Sequence, residues 1–347
     1  TGSRSTPKKM TRSLLARIVP YPGRFRLAML AGFLAKPFAG LFAKSGFSEL
    51  GAMVRLAQFP RTKSLKLKKP EPGDTTIRGR VLFLAGCAQP VLRPETNLAT
   101  VRMLERFGYE VVVPSGAGCC GALTVHMGRE AAGKAQARRN IEAWTRAMQD
   151  APVDAIIINA SGCGTTVKDY GHLFARDDDT IRSQAERVAG LAKDITEFLA
   201  GIDLGAPQRW TALNVAYHSA CSMQHGQKIT KQPRDLLRKA GYAVSEIPEG
   251  HICCGSAGTY NMLQPELAGK LRDRKVANIR SVTPDLVATG NIGCLTQLQS
   301  GMDIPVVHTV ELLDWSWGGP CPRGLEAFRD RVTEVPDEAV AIRDYAA

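Results

Sequence analysis

The chain has 347 residues, which is enough for two ordinary domains with a large buried core. Hydrophobic residues make up 44% of it and charged residues 22%, the proportions of a globular protein, so wholesale disorder is excluded. The apolar stretch nearest in length to a membrane span, residues 27–43, is broken by Lys36 and Pro37, which disfavours a transmembrane helix there.

The N-terminal segment, residues 1–80, is strongly basic. It contains 17 Lys and Arg against three acids, a balance of +14, whereas the whole chain carries +12. Large apolar side chains are interleaved with the basic ones, and prolines at 20, 22 and 37 divide the segment into two or three short amphipathic helices. We expect residues 1–78 to form a basic arm that docks onto a partner subunit or an anionic membrane face, the alternative being a solvated lead-in segment.

Beyond the basic arm, predicted strands alternate with predicted helices. Short apolar runs at 81–84, 111–113 and 155–158 predict buried parallel strands. Periodic apolar residues predict a helix at 98–107, and a polar, alanine-rich stretch predicts a second helix at about 124–149. Such alternation is typical of an open parallel α/β sheet.

Eight of the nine cysteines form two copies of one pattern. In each copy a first cysteine precedes a Cys-Cys-Gly triplet by the same interval, and a last cysteine follows the pair at a closely similar interval. The copies are Cys87, Cys119, Cys120 and Cys163, then Cys221, Cys253, Cys254 and Cys294. Self-similarity of this kind indicates a duplicated domain. We predict one α/β half at 79–205, a second at 206–316 and a C-terminal tail at 317–347.

The cysteines of the first copy fall in loops that follow the predicted strands. Because the carboxyl ends of parallel strands meet at one edge of a sheet, we expect each set of four thiols to converge there. A disulfide framework is disfavoured by the odd cysteine count, and structural zinc by the lack of ligand pairs spaced C-x2–4-C. Thiolates that converge from several loops favour an iron–sulfur cluster.

Glycines adjoin the cysteines in both copies. Glycine lets the backbone approach closely, and amide groups near the cluster sulfides tune its potential. The glycines expected to do so are Gly86, Gly118, Gly121, Gly162, Gly255 and Gly293.

Several motifs resemble a known family. The repeat resembles the duplicated cysteine-rich CCG domain of heterodisulfide reductase B-type subunits, and residues 80–314 are similar, more narrowly, to the iron–sulfur subunits of glycolate oxidase. The matching stretches are GCAQP at 86–90, GCCGA at 118–122, ASGCG at 160–164, CCGSAGTY at 253–260 and NIGC at 291–294.

The resemblance implies an electron-transfer subunit without a catalytic residue or flavin of its own. A separate flavin-bearing subunit would oxidise glycolate to glyoxylate, and this chain would pass the electrons towards a quinone. The eight repeated cysteines are the implied ligands of iron–sulfur clusters, of the [4Fe-4S] type and up to one per half. The resemblance places the chain in the cytoplasm or on the inner face of the plasma membrane, without nucleic acid. The alternatives are the same role with lactate or another 2-hydroxy acid, and a zinc-stabilised nucleic-acid-binding protein.

The chain departs from the family's pattern in two places. The full CCG motif ends each repeat in C-x-x-C, but Ala160 and Asn291 stand at the earlier position, which leaves four thiols per half rather than five. The ferredoxin-like cysteine runs of the family do not precede Cys87, so we expect a chain without that module.

Four further residues are not expected to be metal ligands. Cys321 lies outside both repeats and is expected to be a free thiol. His218, His225 and His251 flank the cysteines of the second copy only, and they are interpreted as structural.

Overall fold

Two four-stranded parallel sheets form the framework of the computed structural model, which describes residues 6–40, 48–60, 65–67 and 77–333. The first sheet has the order β2-β1-β3-β4 and the second the order β7-β6-β8-β9, so one topology is built twice. The strands of the first sheet are β1 (Gly79–Phe83), β2 (Tyr109–Val112), β3 (Ala155–Ile158) and β4 (Ala192–Asp194). Those of the second are β6 (Asn214–His218), β7 (Ala243–Glu246), β8 (Leu286–Thr289) and β9 (Val306–His308). The predicted α/β class with an internal duplication is confirmed.

The helices cover the faces of these sheets. Those of the first half are Gln89–Leu92, Pro94–Arg106, Ala122–His126, Glu130–Asp150, Ser161–Lys168, Tyr170–Leu173, Asp179–Leu191 and Ile195–Leu199. Those of the second half are a π-helical turn Ser222–Gly226, then Gln232–Lys239, Tyr260–Leu263, Pro265–Arg280, Ile292–Gln299 and Thr309–Ser316. A 3-10 helix Glu326–Arg331 leads into β10 (Val332–Thr333), which pairs antiparallel with β5 (Trp210–Thr211). The sheets lie within the predicted halves, whose boundaries remain predictions.

The predicted single helix over 124–149 is wrong. The chain forms two helices there, Ala122–His126 and Glu130–Asp150. The break falls at Gly128, whose φ of +81° is left-handed and ends the first helix. The longer helix buries Ala137, Ile141 and Trp144 on one face, which explains why it packs on the sheet.

Strand β1 shows how the core is arranged. Val81 and Phe83 pack in a core that both halves share, whereas Leu82 and Leu84 pack in a separate core on the other face of the first sheet. Successive side chains of a strand point to opposite faces, so a strand covered on both faces is apolar throughout.

The halves exchange helices across the shared core. Helix Thr309–Ser316, which follows β9, packs on Pro94–Arg106 of the first half, and Ile195–Leu199, which follows β4, packs on Gln232–Lys239 of the second. Arg93 reaches across this contact and donates from Nε and Nη2 to the Glu311 carboxylate at 3.0–3.2 Å. Both side chains are buried, and a bidentate pair of this kind fixes the orientation of the two halves.

The basic arm is helical and lies against both halves. Its elements are helices Thr6–Ile18, Pro22–Leu34 and Ser48–Leu56, with a 3-10 turn at Lys36–Phe38. Pro20 lies between the first two helices, and Pro37 lies in the turn after the second. Leu15 and Val19 pack with Met127 and Leu263, which follow the two Cys-Cys pairs. Within the described residues, no helix has both the length and the apolar character needed to cross a membrane. The ends of the predicted arm and tail, 1–5 and 334–347, lie outside the described residues.

Candidate metal centres

Every repeated cysteine follows the carboxyl end of a strand. In the first half Cys87 follows β1, the pair Cys119–Cys120 follows β2, and Cys163 lies in the helix after β3. In the second half Cys221 follows β6, the pair Cys253–Cys254 follows β7, and Cys294 lies in the helix after β8. All nine cysteines of the chain are free of disulfide bonds.

The thiols of the first set form one chain of side-chain hydrogen bonds. The chain runs in the order Cys87, Cys119, Cys120, Cys163. Hydrogen bonds from Cys120 and Cys87 lower the pKa of Cys119 to about 4, whereas the bond to Cys119, followed by burial, raises the pKa of Cys87. The pKa of Cys120 is raised by its bonds to Cys119 and Cys163 and by burial. The neighbouring thiols thus stabilise Cys119 as a buried thiolate.

The second set repeats this arrangement. Its chain runs in the order Cys221, Cys253, Cys254, Cys294. Hydrogen bonds from Cys221 and Cys254 lower the pKa of Cys253 to about 2, and a bond from Cys254 lowers that of Cys294 to about 5. The pKa values of Cys221 and Cys254 are raised, first of all by the bonds to Cys253.

Both sets fit a metal centre. Four thiols this close cannot all ionise by themselves, because each negative charge raises the pKa of the next. A cationic centre removes that penalty and stabilises four thiolates together. Four sulfur donors at the end of one sheet suit either a four-thiolate iron–sulfur cluster or zinc.

Gly121 and Gly255 shape the Cys-Cys loops in the same way. Their φ values are +91° and +89°, and a Cβ there would lie 2.5 Å from Gly133 O or 2.4 Å from Ala268 O. Only glycine therefore lets each loop touch its helix. The Gly121 amide lowers the pKa of Cys119, and Gly255 N donates to Cys253 Sγ at 3.3 Å. These two amides are directed at sulfur.

The other predicted glycines make different contacts. Gly118 N donates to Asn140 Oδ1 at 2.7 Å and Gly293 N to Asn291 Oδ1 at 3.4 Å, so both amides are satisfied by side chains rather than by sulfur. In the part of the chain that the structure describes, no atom beyond the neighbouring residues lies within 4 Å of a Cβ built on Gly86 or Gly162.

Two buried residues that sequence analysis did not select hold the first Cys-Cys pair. Asn140 Nδ2 donates to Cys119 O at 3.0 Å, and the Tyr170 hydroxyl donates to Cys120 O at 2.8 Å. Both side chains come from helices distant in sequence, and no local pattern marks them.

His218 also belongs to the second site. One of its ring nitrogens and the sulfurs of Cys254 and Cys294 all lie within 4.8 Å of one another. The side chain is 1% exposed, and among the described residues its Nε2 has no hydrogen-bond partner. Its place at the end of β6, three residues before Cys221, is a signal that sequence analysis could have used.

The remaining candidates differ in their surroundings. Cys321 packs against the shared core, its thiol donates to Pro322 O at 3.6 Å, and burial raises its pKa. His225 is exposed. Asn291, at the position of the family's extra cysteine, donates to Cys294 Sγ at 3.6 Å.

The thiol-bearing edges of the two sheets face each other. Ser161 N donates to Gly290 O at 3.1 Å, and the hydroxyls of Ser161 and Ser222 lie 2.8 Å apart. Ser161 stands two residues before Cys163, and Ser222 directly follows Cys221. The two thiol sets are therefore neighbours in one molecule.

The repeated fold and its thiol sets define a protein of the cysteine-rich CCG class. The model of that cysteine-rich domain matches residues 81–168 and 215–299. Over 311 residues the chain is 37% identical to the glycolate oxidase iron–sulfur subunit of Escherichia coli (strain K12), covering 90% of this chain and 72% of that protein. The chain belongs to the family of glycolate oxidase iron–sulfur subunits.

Two further relatives show the breadth of the similarity. The probable glycolate oxidase iron–sulfur subunit of Bacillus subtilis (strain 168) is 30% identical over 336 residues, which cover 88% of this chain and 72% of that protein. Lactate utilization protein A of Bacillus licheniformis is 29% identical over 245 residues, 68% of this chain and 99% of that protein.

Proposed function

We propose that this chain is the iron–sulfur electron-transfer subunit of a complex that oxidises a 2-hydroxy acid. The observation that carries the proposal is the pair of four-thiol sets, built alike and brought side by side by the Ser161–Ser222 contact. A flavoprotein partner would carry the substrate-oxidising site, and a quinone would be the acceptor. The complex would work in the cytoplasm or at the inner face of the plasma membrane.

The eight repeated cysteines are the proposed ligands, with one [4Fe-4S] cluster per half. A bound cluster of this type supplies one-electron transfer. The chain itself buries five of the eight thiols and directs the Gly121 and Gly255 amides at sulfur, where they stabilise negative charge. Lys275 is a nearby cation in the second half, and its charge partly offsets the rise in the pKa of Cys221 that the bond to Cys253 and burial cause.

Glycolate is the proposed substrate. The two relatives named for glycolate oxidase align along about nine-tenths of this chain, whereas the lactate utilization protein aligns along two thirds. Lactate is the second candidate because that protein is covered almost completely by the match. Reduction of an artificial dye by the purified complex with glycolate or lactate as donor separates the two.

Iron and acid-labile sulfide analysis of the anaerobically purified chain tests the cluster assignment. We expect brown protein with about eight iron and eight sulfide per chain, since each [4Fe-4S] cluster contributes four of each. Cys119→Ser and Cys253→Ser should each remove about half of the iron and visible absorbance, because each takes one ligand from one set. Cys321→Ser, outside both sets, is the matched control. Colourless protein that contains zinc would contradict the assignment.

A further inference from the structure

A cavity of about 560 Å³ lies between the basic arm and the thiol-bearing edge of the first half. Sites for small organic ligands have volumes of roughly 300–1,000 Å³, so the cavity has the size of such a site. All four thiols of the first set line it, and none of the second set does.

The two walls of the cavity differ in chemistry. Every described residue that the basic arm contributes is apolar, among them Phe25, Met29 and Val54. The opposite wall carries the thiols and several polar side chains of the two halves. The polar ones are His126, Ser256, Asn261, Asn291 and Thr296.

The apolar wall is not explained by the binding of a cluster. The described residues of the arm offer no cysteine, histidine or carboxylate to the cavity, so a cluster held by the four thiols occupies only their side. The second set repeats the same thiol arrangement without lining this space, which shows that four thiols do not require it. The arm side is therefore suited to an apolar ligand that contacts the thiol side with a polar group.

The outer surface of the basic arm indicates where such a ligand comes from. Among the described residues, nine of the ten exposed large apolar side chains lie in residues 1–78, including Leu27, Leu34 and Phe38. The segment 1–48 contains no acid, and Arg17 and Arg24 are exposed within it. A basic and apolar surface complements an anionic membrane leaflet, in which lipophilic quinones dissolve.

We propose that the cavity binds a lipophilic quinone, with its ring at the thiols of the first set and its tail along the basic arm. The carbonyl oxygens of the ring accept hydrogen bonds, which His126, Asn261 and Asn291 can donate. The proposal rests on the proposed function for its electrons. Oxidation of a 2-hydroxy acid to a 2-oxo acid releases two electrons and two protons, and the quinone takes up two electrons and two protons from water to become the quinol.

The test uses the whole complex of this chain with its flavoprotein partner, purified in detergent, with decylubiquinone as the probe. Binding is measured by equilibrium dialysis without substrate. Ala28→Trp and Ala31→Trp each place an indole on the apolar wall and should weaken binding at least tenfold. Gly23→Trp on the same helix is the matched control, because nothing lies within 4 Å of its Cβ position. Two cavity variants are used so that a folding defect in one of them does not decide the result.

Dye reduction by the hydroxy acid, measured on the same four proteins, separates the two proposals. Retained dye reduction with lost quinone binding in both cavity variants supports the quinone site. Equal quinone binding by parent and both cavity variants would overturn it. A parent complex that binds no quinone would also overturn it. Capture of another protein segment by a photoreactive cross-linker on Ala28 would then identify that segment as the occupant of the cavity. Absence of dye reduction in the parent would count against the proposed function instead.

Discussion

His218 is the residue at which the surroundings of the two thiol sets differ most in chemistry. The offset between the two copies, which takes Cys87 to Cys221, places Leu84 at the corresponding position of the first half. Leu84 is buried in an apolar core, whereas the His218 ring contacts the second thiol set. At this one position the first half therefore has an apolar side chain and the second half a nitrogen donor.

Replacing this histidine should change the second centre alone. A hydrogen bond from the His218 side chain helps to lower the pKa of Cys294, after that from Cys254, so the histidine stabilises negative charge on this sulfur. His218→Leu installs the residue of the first half and removes this interaction of about 1 kcal/mol, and we expect the reduction potential of the second centre to fall by about 40 mV because the reduced form is no longer stabilised. A redox titration followed by electron paramagnetic resonance measures this. The exposed His225 supplies the control variant His225→Leu. A shift confined to the first centre would contradict the assignment.

Among the secondary-structure elements, the helices that join the two halves begin with titratable caps. His308 precedes helix Thr309–Ser316, where its Nδ1 accepts from Val310 N at 3.2 Å and its Nε2 donates to Asn159 O of the first half at 2.8 Å. Asp194 precedes the equivalent helix Ile195–Leu199 and accepts from Thr196 N at 2.8 Å.

The two caps respond to acid in opposite directions. Burial lowers the pKa of His308 to about 4, with the Glu311 carboxylate raising it and the Arg93 guanidinium lowering it further. The unfolded chain therefore holds more protons than the native one, and His308 costs stability as the pH falls from about 6.5 to 4. Burial raises the pKa of Asp194 to about 6, so Asp194 contributes stability at low pH that is lost as the pH rises from about 4 to 6.

His308→Asn should remove the loss of stability that protonation of His308 causes at low pH. The asparagine oxygen can still accept from Val310 N, but it does not titrate. Between pH 6.5 and 4 we expect the free energy of unfolding of the parent to fall relative to that of the variant by up to about 3 kcal/mol. Denaturant unfolding at several pH values measures the difference. A constant difference between parent and variant across this range would show that His308 does not titrate as described.

The elements of the fold were largely predictable, and their mutual packing was not. Continuous apolar runs predicted the strands, and strand ends predicted where the thiols meet. The break at Gly128 went unnoticed because one glycine in an otherwise helical pattern is a weak signal. His218 approaches Cys254 and Cys294, which lie 36 and 76 positions further along the chain. The apolar wall likewise depends on contacts between the basic arm and residues from Cys87 onwards. Local periodicity carries no information on such distances.

At the scale of the whole molecule, the basic arm is the proposed attachment of the chain to its complex and to a membrane. Deletion of residues 1–60 should abolish co-purification with the flavoprotein partner and binding to anionic liposomes, since each nearby Lys or Arg contributes about 1 kcal/mol at such a surface. Binding of the parent should weaken with salt. A variant with Lys9, Arg17 and Arg24 changed to Gln keeps the apolar residues and isolates the charge. Unchanged behaviour of the deletion protein in both assays would show that the arm is not a docking element.

The ion pair between Arg93 and Glu311 can form only late in the synthesis of the chain. The two residues are 218 positions apart, and the ribosome adds about 5–20 residues per second, so Glu311 is synthesised roughly 10–45 s after Arg93. During that time the first sheet can form while its thiol-bearing edge still lacks Gly290, which bonds to Ser161 in the finished molecule. Synthesis thus leaves an interval in which metal can reach Cys87, Cys119, Cys120 and Cys163 before the second half closes over them.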